Sequence, residues 1–152
     1  MESFAVDLAT MIRTPLHDEH VEAMRAVGEV RDVPAGEVLQ ECGQPQAAFQ
    51  YILDGEVEAV DPRSGGRYGV ATLGPRQFFG EISFLGGGKA MLGARAVRRS
   101  RILAVPREDM LRLMSRIPEM SDIVITVLSG RRRRLLESGD SSLTLIGPEA
   151  SR

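Results

Sequence analysis

Phe49-Gln50-Tyr51-Ile52-Leu53-Asp54-Gly55-Glu56-Val57-Glu58-Ala59 is the stretch that decides the fold. Phe49, Tyr51 and Leu53 recur with a period of two, which puts them on one face of an extended strand. Val57 and Ala59 resume the alternation after Asp54-Gly55. An Asp-Gly pair between two alternating runs predicts a tight hairpin. On the C-terminal side, Asp61-Pro62-Arg63-Ser64-Gly65-Gly66 predicts a second reversal. Tyr68, Val70 and Leu73 predict a further strand, closed by the Gly74-Pro75 turn. On the N-terminal side, Val30 and Val33 lead into the Pro34-Ala35-Gly36 turn, and Val38-Leu39 start a short strand ended by Gly43 and Pro45. Beyond the triple glycine Gly86-Gly87-Gly88, strands are expected at 91–97 and 101–105, divided by a turn at Arg98-Arg99-Ser100. Short strands spaced by roughly 8–12 residues imply an antiparallel sandwich, barrel or jelly roll.

The flanks read as helical. Residues 3–13 carry Phe4, Val6, Leu8, Met11 and Ile12 behind Ser3, and Thr14-Pro15 interrupts that helix. Asp18 is expected to cap a second helix bearing Val21, Met24 and Val27, stopped at Gly28. Pro106 opens a helix over 107–116, and Pro118 opens another over about 119–137. The expected fold is mainly β with flanking helices: an antiparallel β jelly roll or barrel with N-terminal helices and two C-terminal helices. The 152 residues suit one domain, expected over 1–138. Residues 139–152 read as a linker followed by a strand, Leu143-Thr144-Leu145-Ile146-Gly147. With no partner nearby, that strand is expected to begin a truncated following segment.

Composition narrows the function classes. One cysteine, Cys42, excludes an internal disulfide and any CxxC or multi-cysteine zinc site. No apolar run reaches the ~18 residues of a membrane span, and an acidic N-terminus lacks a secretory signal, so a cytoplasmic protein off the membrane is expected. Net charge is −2, which implies no bulk attraction to nucleic acid. The charge is nonetheless split. Residues 1–88 carry six Arg against fourteen carboxylates, and residues 89–152 carry thirteen Lys/Arg against seven. The basic second part suggests a surface for docking a domain.

Helices, about eight short strands and two further helices follow the order of the cyclic-nucleotide-binding domain. The sequence resembles that family at Pro34-x-Gly36, Gly43 and Phe49-x-Tyr51-Ile52-Leu53-x-Gly55-x-Val57. It does so again at Leu73-Gly74-Pro75-x-x-Phe78/Phe79-Gly80-Glu81-Ile82-Ser83. The resemblance implies that Gly80-Glu81 opens a phosphate-binding cassette. Exposed N–H groups at a short helix start face the cyclic phosphate, and the glutamate takes the ribose hydroxyl. An arginine nine residues beyond the glutamate then pairs with the phosphate, followed by two small residues. Here that count falls on Ala90, with bulky Met91 and Leu92 after it; Lys89 is one residue early. The candidate ligand-binding residues are Gly80, Glu81, Ile82, Ser83, Lys89, Ala90 and Met91. A degenerate pocket is expected, with cyclic-nucleotide binding weakened or lost.

A narrower resemblance covers Gly80-Glu81-Ile82 through Met91-Leu92, Val105-Pro106-Arg107-Glu108, Pro118-Glu119-Met120-Ser121-Asp122 and Leu143-Thr144-Leu145-Ile146-Gly147. These are similar to bacterial proteins in which such a domain precedes an FAD-dependent, thioredoxin-reductase-like oxidoreductase. The implied function is a regulatory, non-catalytic sensing module, with its own downstream catalytic domain as partner. No cofactor is expected in this chain; FAD and NADPH would belong to the missing portion. The alternatives are the sensor of a transcription regulator resembling catabolite activator protein, or a domain that does bind a cyclic nucleotide.

Four further features have structural readings. Arg131-Arg132-Arg133-Arg134 ring a helix at ~100° per residue and are expected to be a solvated helix end or to meet an acidic partner. The aliphatic run 123–128 is either a homodimer seam through the 119–137 helix or a lid on the barrel. His17 and His20 share a helical face, but no carboxylate or cysteine completes a metal site, and no metal is expected. Cys42 is expected to be a loop or strand-edge thiol.

Overall fold

The computed structural model describes residues 16–80 and 82–137. The helix expected at 3–13, the strand at 143–147 and Glu81 lie outside the described residues. In chain order the elements are α1 (Asp18–Val27), β1 (Glu29–Val33), β2 (Val38–Gln40), β3 (Ala48–Val60) and β4 (Phe78–Phe79). A 3-10 turn at Ile82–Phe84 follows, then β5 (Gly93–Pro106), α2 (Arg107–Arg116) and α3 (Pro118–Glu137). All strand pairs are antiparallel, in the order β1-β5-β3-β4, with β2 also on β5. This is the expected antiparallel β architecture with flanking helices.

Two expected hairpins are absent, and one physical cause removes both. Asp54-Gly55 does not reverse the chain, and neither does Arg98-Arg99-Ser100. Each lies inside a long strand, β3 or β5, and the two strands pair with each other from Ala48↔Pro106 to Val60↔Gly93. The ladder slips in register between Ile52 and Val57, the mark of a β-bulge. Gly55 sits there at φ +112°, a backbone region open to glycine. A Cβ on Gly55 would lie 2.1 Å from Ser100 Oγ. Ser100 occupies that vacated space: its hydroxyl accepts from the Glu56 N–H at 3.1 Å and donates to the Arg98 carbonyl at 2.7 Å. The bulge also resets the side-chain phase. Ile52 and Val57 are five apart, so a straight strand would aim them at opposite faces, yet both are buried in one cluster.

The third expected strand, at Tyr68–Leu73, is a loop tied to β3 by isolated bridges at Val60↔Arg67 and Val57↔Leu73. Val70 is 94% exposed, so the apolar alternation there does not mark a buried face. At α1 the N-cap is His17; Asp18 is the first helical residue.

Two clusters form the core. Phe49, Tyr51, Leu103 and Val105 face the helices, packing with Met24, Met110, Met120 and Leu128. Ile52, Val57, Ala94, Ala96 and Ile102 face the interior of the roll. Phe78 and Phe79, adjacent on β4, divide between the two clusters, as a period of two requires. The stripe on α3 acts as a lid seam: Met120, Val124, Val127 and Leu128 are all buried within this chain, while Ile125 is 41% exposed. No described helix is long and apolar enough to cross a membrane.

Candidate ligand-binding site

A cavity of about 410 Å³ lies inside the roll beneath the C-terminal part of α3. That is within the ~300–1,000 Å³ typical of small-molecule sites. Its walls come from β3 (Val57, Glu58, Ala59), the 68–73 loop, Phe79-Gly80, and the start of β5 with Leu92 before it. Arg131, Arg134 and Leu135 of α3 complete the lining.

Gly80 is the one expected ligand residue among the described residues that lines this cavity. Its φ of +145° lets the chain leave β4 directly into the 3-10 turn. Ile82 packs against the helix-side core. Ser83 Oγ accepts from Gln46 Nε2 at 2.6 Å and donates to the Lys89 carbonyl at 3.2 Å, closing the glycine-rich loop on itself. Lys89 bridges Pro45 through its backbone, and its residue is exposed. Ala90 is buried at 2% exposure, with its N–H on the Gln44 carbonyl. Met91 is half-buried, and its carbonyl accepts from Cys42 Sγ at 3.2 Å. The cassette is thus a well-tied turn, and the arginine position holds a buried methyl group. Arg107, at the head of α2, clamps that turn from behind: it donates from Nε to the Phe84 carbonyl at 2.7 Å and from Nη2 to the Leu85 carbonyl at 2.9 Å.

The cationic groups of the cavity come instead from the arginine run. Arg132 and Arg133 are exposed as expected, but Arg131 and Arg134 line the cavity. Residues three apart share a helical face, so two of the four follow the buried stripe Met120, Val124, Val127, Leu128 inward. The signal was present in the sequence: Arg131 follows Val127 by four positions. The ring arithmetic was correct, but the solvated reading was wrong for this pair.

Arg131 keeps some contact with solvent, yet its Nη2 is shut off from it and has no hydrogen-bond partner. Its guanidinium carbon lies 5.4 Å from the Phe78 ring centroid. Burial pushes its pKa down to about 10, so it stays protonated at neutral pH. A cation–π contact contributes about 0.5–2 kcal/mol, whereas enclosing a charge costs several kcal/mol. The ring therefore does not offset the desolvation.

Three other polar walls are already engaged. Glu58 accepts from Arg67 and Arg95, each at 2.8 Å, and the Arg67 hydrogen bond leads in holding its carboxyl below the ordinary range. Thr72 donates to Glu56 at 2.6 Å, and Gln40 donates to the Leu92 carbonyl at 2.9 Å.

A second cluster joins α1 to α3. The fold brings Glu19 and Glu119 to His17 and His20, with ligand-type atoms all within 4.8 Å of one another. The expectation that no carboxylate completes this cluster is thus overturned: Glu19 is a sequence neighbour, and Glu119 arrives from a helix about a hundred residues away. The His17 N–H donates to His20 Nδ1 at 3.2 Å. His20 Nε2 is buried 3.5 Å from Glu119 Oε1.

Comparison with known proteins agrees with this architecture. Residues 30–117 match the family described as cyclic nucleotide-binding domain. The chain is 32% identical over 138 residues to the cyclic AMP receptor protein of Thermus thermophilus, covering 90% of this chain and 62% of that one. It is 30% identical over 103 residues to a cyclic nucleotide-gated potassium channel of Mesorhizobium japonicum, covering 68% and 27%. The chain thus spans less than two thirds of the length of either relative. Among solved structures, the Thermus thermophilus catabolite activator protein superposes with a TM-score of 0.63 at 29% identity, covering 90% of this chain and 62% of that one. With a match over more than half its length and the same roll-and-lid architecture, this chain belongs to the cyclic nucleotide-binding domain family.

Proposed function

We propose that this chain is a regulatory ligand-sensing module whose cyclic-nucleotide pocket is degenerate. It performs no chemistry itself and reports occupancy of its cavity to another segment of a larger protein. The observation that carries this reading is Ala90, buried where the cassette's phosphate-pairing arginine would stand. Losing one partner of a buried charge pair weakens binding by about 2–5 kcal/mol, or roughly 30- to several-thousand-fold. Calorimetry with cyclic AMP and cyclic GMP tests it. The expected result is binding no tighter than about 100 μM. Low-micromolar binding abolished by Glu81→Ala would overturn the degenerate pocket.

The partner we infer is a downstream FAD-dependent, thioredoxin-reductase-like oxidoreductase, which would hold the FAD and NADPH. Support comes from the resemblance at Gly80-Glu81-Ile82, Met91-Leu92 and Leu143–Gly147. A second reading, the sensor of a transcription regulator, is favoured by the likeness to the Thermus cyclic AMP receptor protein. The parent gene separates them: a flavoprotein segment after residue 152 supports the first, and a helix-turn-helix supports the second. A homodimer through α3 would have to use Ile125 and its exposed neighbours, since the stripe above is already buried.

A further inference from the structure

We propose that the cavity binds an organic anion with an apolar body, and that its negative group is held by Arg131 of the lid helix and not by the cassette. This rests on the sensing function proposed above and names the ligand class of the same site. Three observations carry it. Arg131 lines the cavity, and its Nη2 is enclosed with no hydrogen-bond partner. The polar walls at Gln40, Glu58 and Thr72 are committed to protein partners, so Nη2 is a cavity donor still open to a ligand. Most of the other described walls are apolar, among them Val57, Leu73, Phe79, Leu92, Ala94 and Leu135, with Tyr68 and Arg134 the polar exceptions.

A carboxylate or phosphate ester placed beside Arg131 gives its enclosed Nη2 a charge-assisted partner. A carbon chain or ring attached to that anion fills the apolar roll. The polarity of the site is thereby reversed from a cassette-centred pocket: the anion sits under α3 and the apolar body points toward β3 and β5. Because the anchoring charge belongs to the lid, occupancy is felt directly by α3.

Calorimetry and thermal unfolding of the whole chain test this with decanoate as the anionic probe and decyltrimethylammonium as its charge-reversed control. The variant is Arg131→Met, which keeps the apolar stem and removes the enclosed charge. Without ligand it is expected to unfold at the same temperature as the parent chain or higher, because an enclosed donor with no hydrogen-bond partner is lost. Decanoate is expected to bind the parent chain and raise its Tm, to bind Arg131→Met at least about tenfold more weakly, and to bind where the ammonium probe does not. The proposal is overturned if decanoate does not bind the parent chain at about 1 mM, if the loss in Arg131→Met is smaller than that, or if both probes bind alike. Cyclic AMP run in parallel separates the two claims. Micromolar cyclic AMP binding would overturn the degenerate-pocket reading. Decanoate and cyclic AMP both silent would overturn the anion class alone.

Discussion

At Gly55 a single hydrogen atom in place of a side chain lets two long strands bend together. The Ser100 Cα lies 2.6 Å from where a Cβ would be, so backbone and not a flexible tip blocks it. Gly55→Ala is expected to lower stability by about 3 kcal/mol or more, from overlap plus a positive φ. Urea unfolding checks this; a loss below about 1 kcal/mol would mean the bulge can relax. Glu58 makes a pH-dependent contribution. Hydrogen bonds from Arg67 and Arg95 depress its folded pKa below 4.5. Stability from a depressed carboxylate is present above its unfolded pKa and is lost as pH falls through the folded one. Glu58→Gln should therefore cost stability at pH 6 and flatten the decline below pH 4.5, seen by comparing urea midpoints across about pH 3–6. At this scale the sequence was legible for Gly55 as a special backbone position and not for what it does. An Asp-Gly pair is a hairpin signal only when its flanking strands are to pair with each other. Here both flanks pair with β5 instead, a choice made by residues about forty positions away.

Elements were easier to foresee where their pattern was long. The predicted 107–116 helix matches α2, and the predicted 119–137 helix starts one residue late against α3, because apolar positions at helical spacing and a proline at each start agree. The Tyr68–Leu73 strand failed because alternation alone does not supply a partner, and the loop bonds only at two bridges. What the run 123–128 packs against was open in the sequence, since a dimer seam and a lid share one pattern. Met120 and Leu128 share a buried cluster with Phe78 and Phe84 within this chain, which supports the lid. Met120→Ala or Leu128→Ala should cost about 2–5 kcal/mol, and Ile125→Ala under about 0.5 kcal/mol. Equal costs at all three, measured at several protein concentrations, would instead indicate a seam between chains. The cassette turn depends on α2 in the same way. Arg107→Met removes both donors to the Phe84 and Leu85 carbonyls. Amide exchange at Gly86–Gly88 should then accelerate by at least about tenfold, with the protection of β3 unchanged.

For the whole molecule, the split between an acidic first part and a basic second part is answered in part inside the sheet. Antiparallel pairing lays the arginine-bearing β5 between acidic β1 and β3. Register sets Arg95 opposite Glu58, Arg98 opposite Glu56, and Arg101 opposite both Asp54 and Asp32. Opposite charges directly across a ladder are favourable neighbours. Three of the arginines of the basic second part, all on β5, answer carboxylates of the first part, at 2.8 Å for Glu58–Arg95, 3.9 Å for Glu56–Arg98 and 3.4 Å for Asp32–Arg101. This was illegible in the charge count because sequence distance conceals strand pairing. The pairs differ in shielding: the Glu58 side chain is 12% exposed, while Asp32 and Arg101 are both more than half exposed. Double-mutant cycles should give Glu58–Arg95 a coupling of about 1 kcal/mol or more, as a charged hydrogen bond, and Asp32–Arg101 at most about 0.5 kcal/mol. Salt sharpens the contrast. Raising the ionic strength to about 0.5 M should remove the Asp32–Arg101 coupling and leave most of the Glu58–Arg95 coupling, because screening reaches exposed charges first. If both couplings vanish together, the ladder is a solvated surface network, and the cavity wall at Glu58 is not held by its arginines.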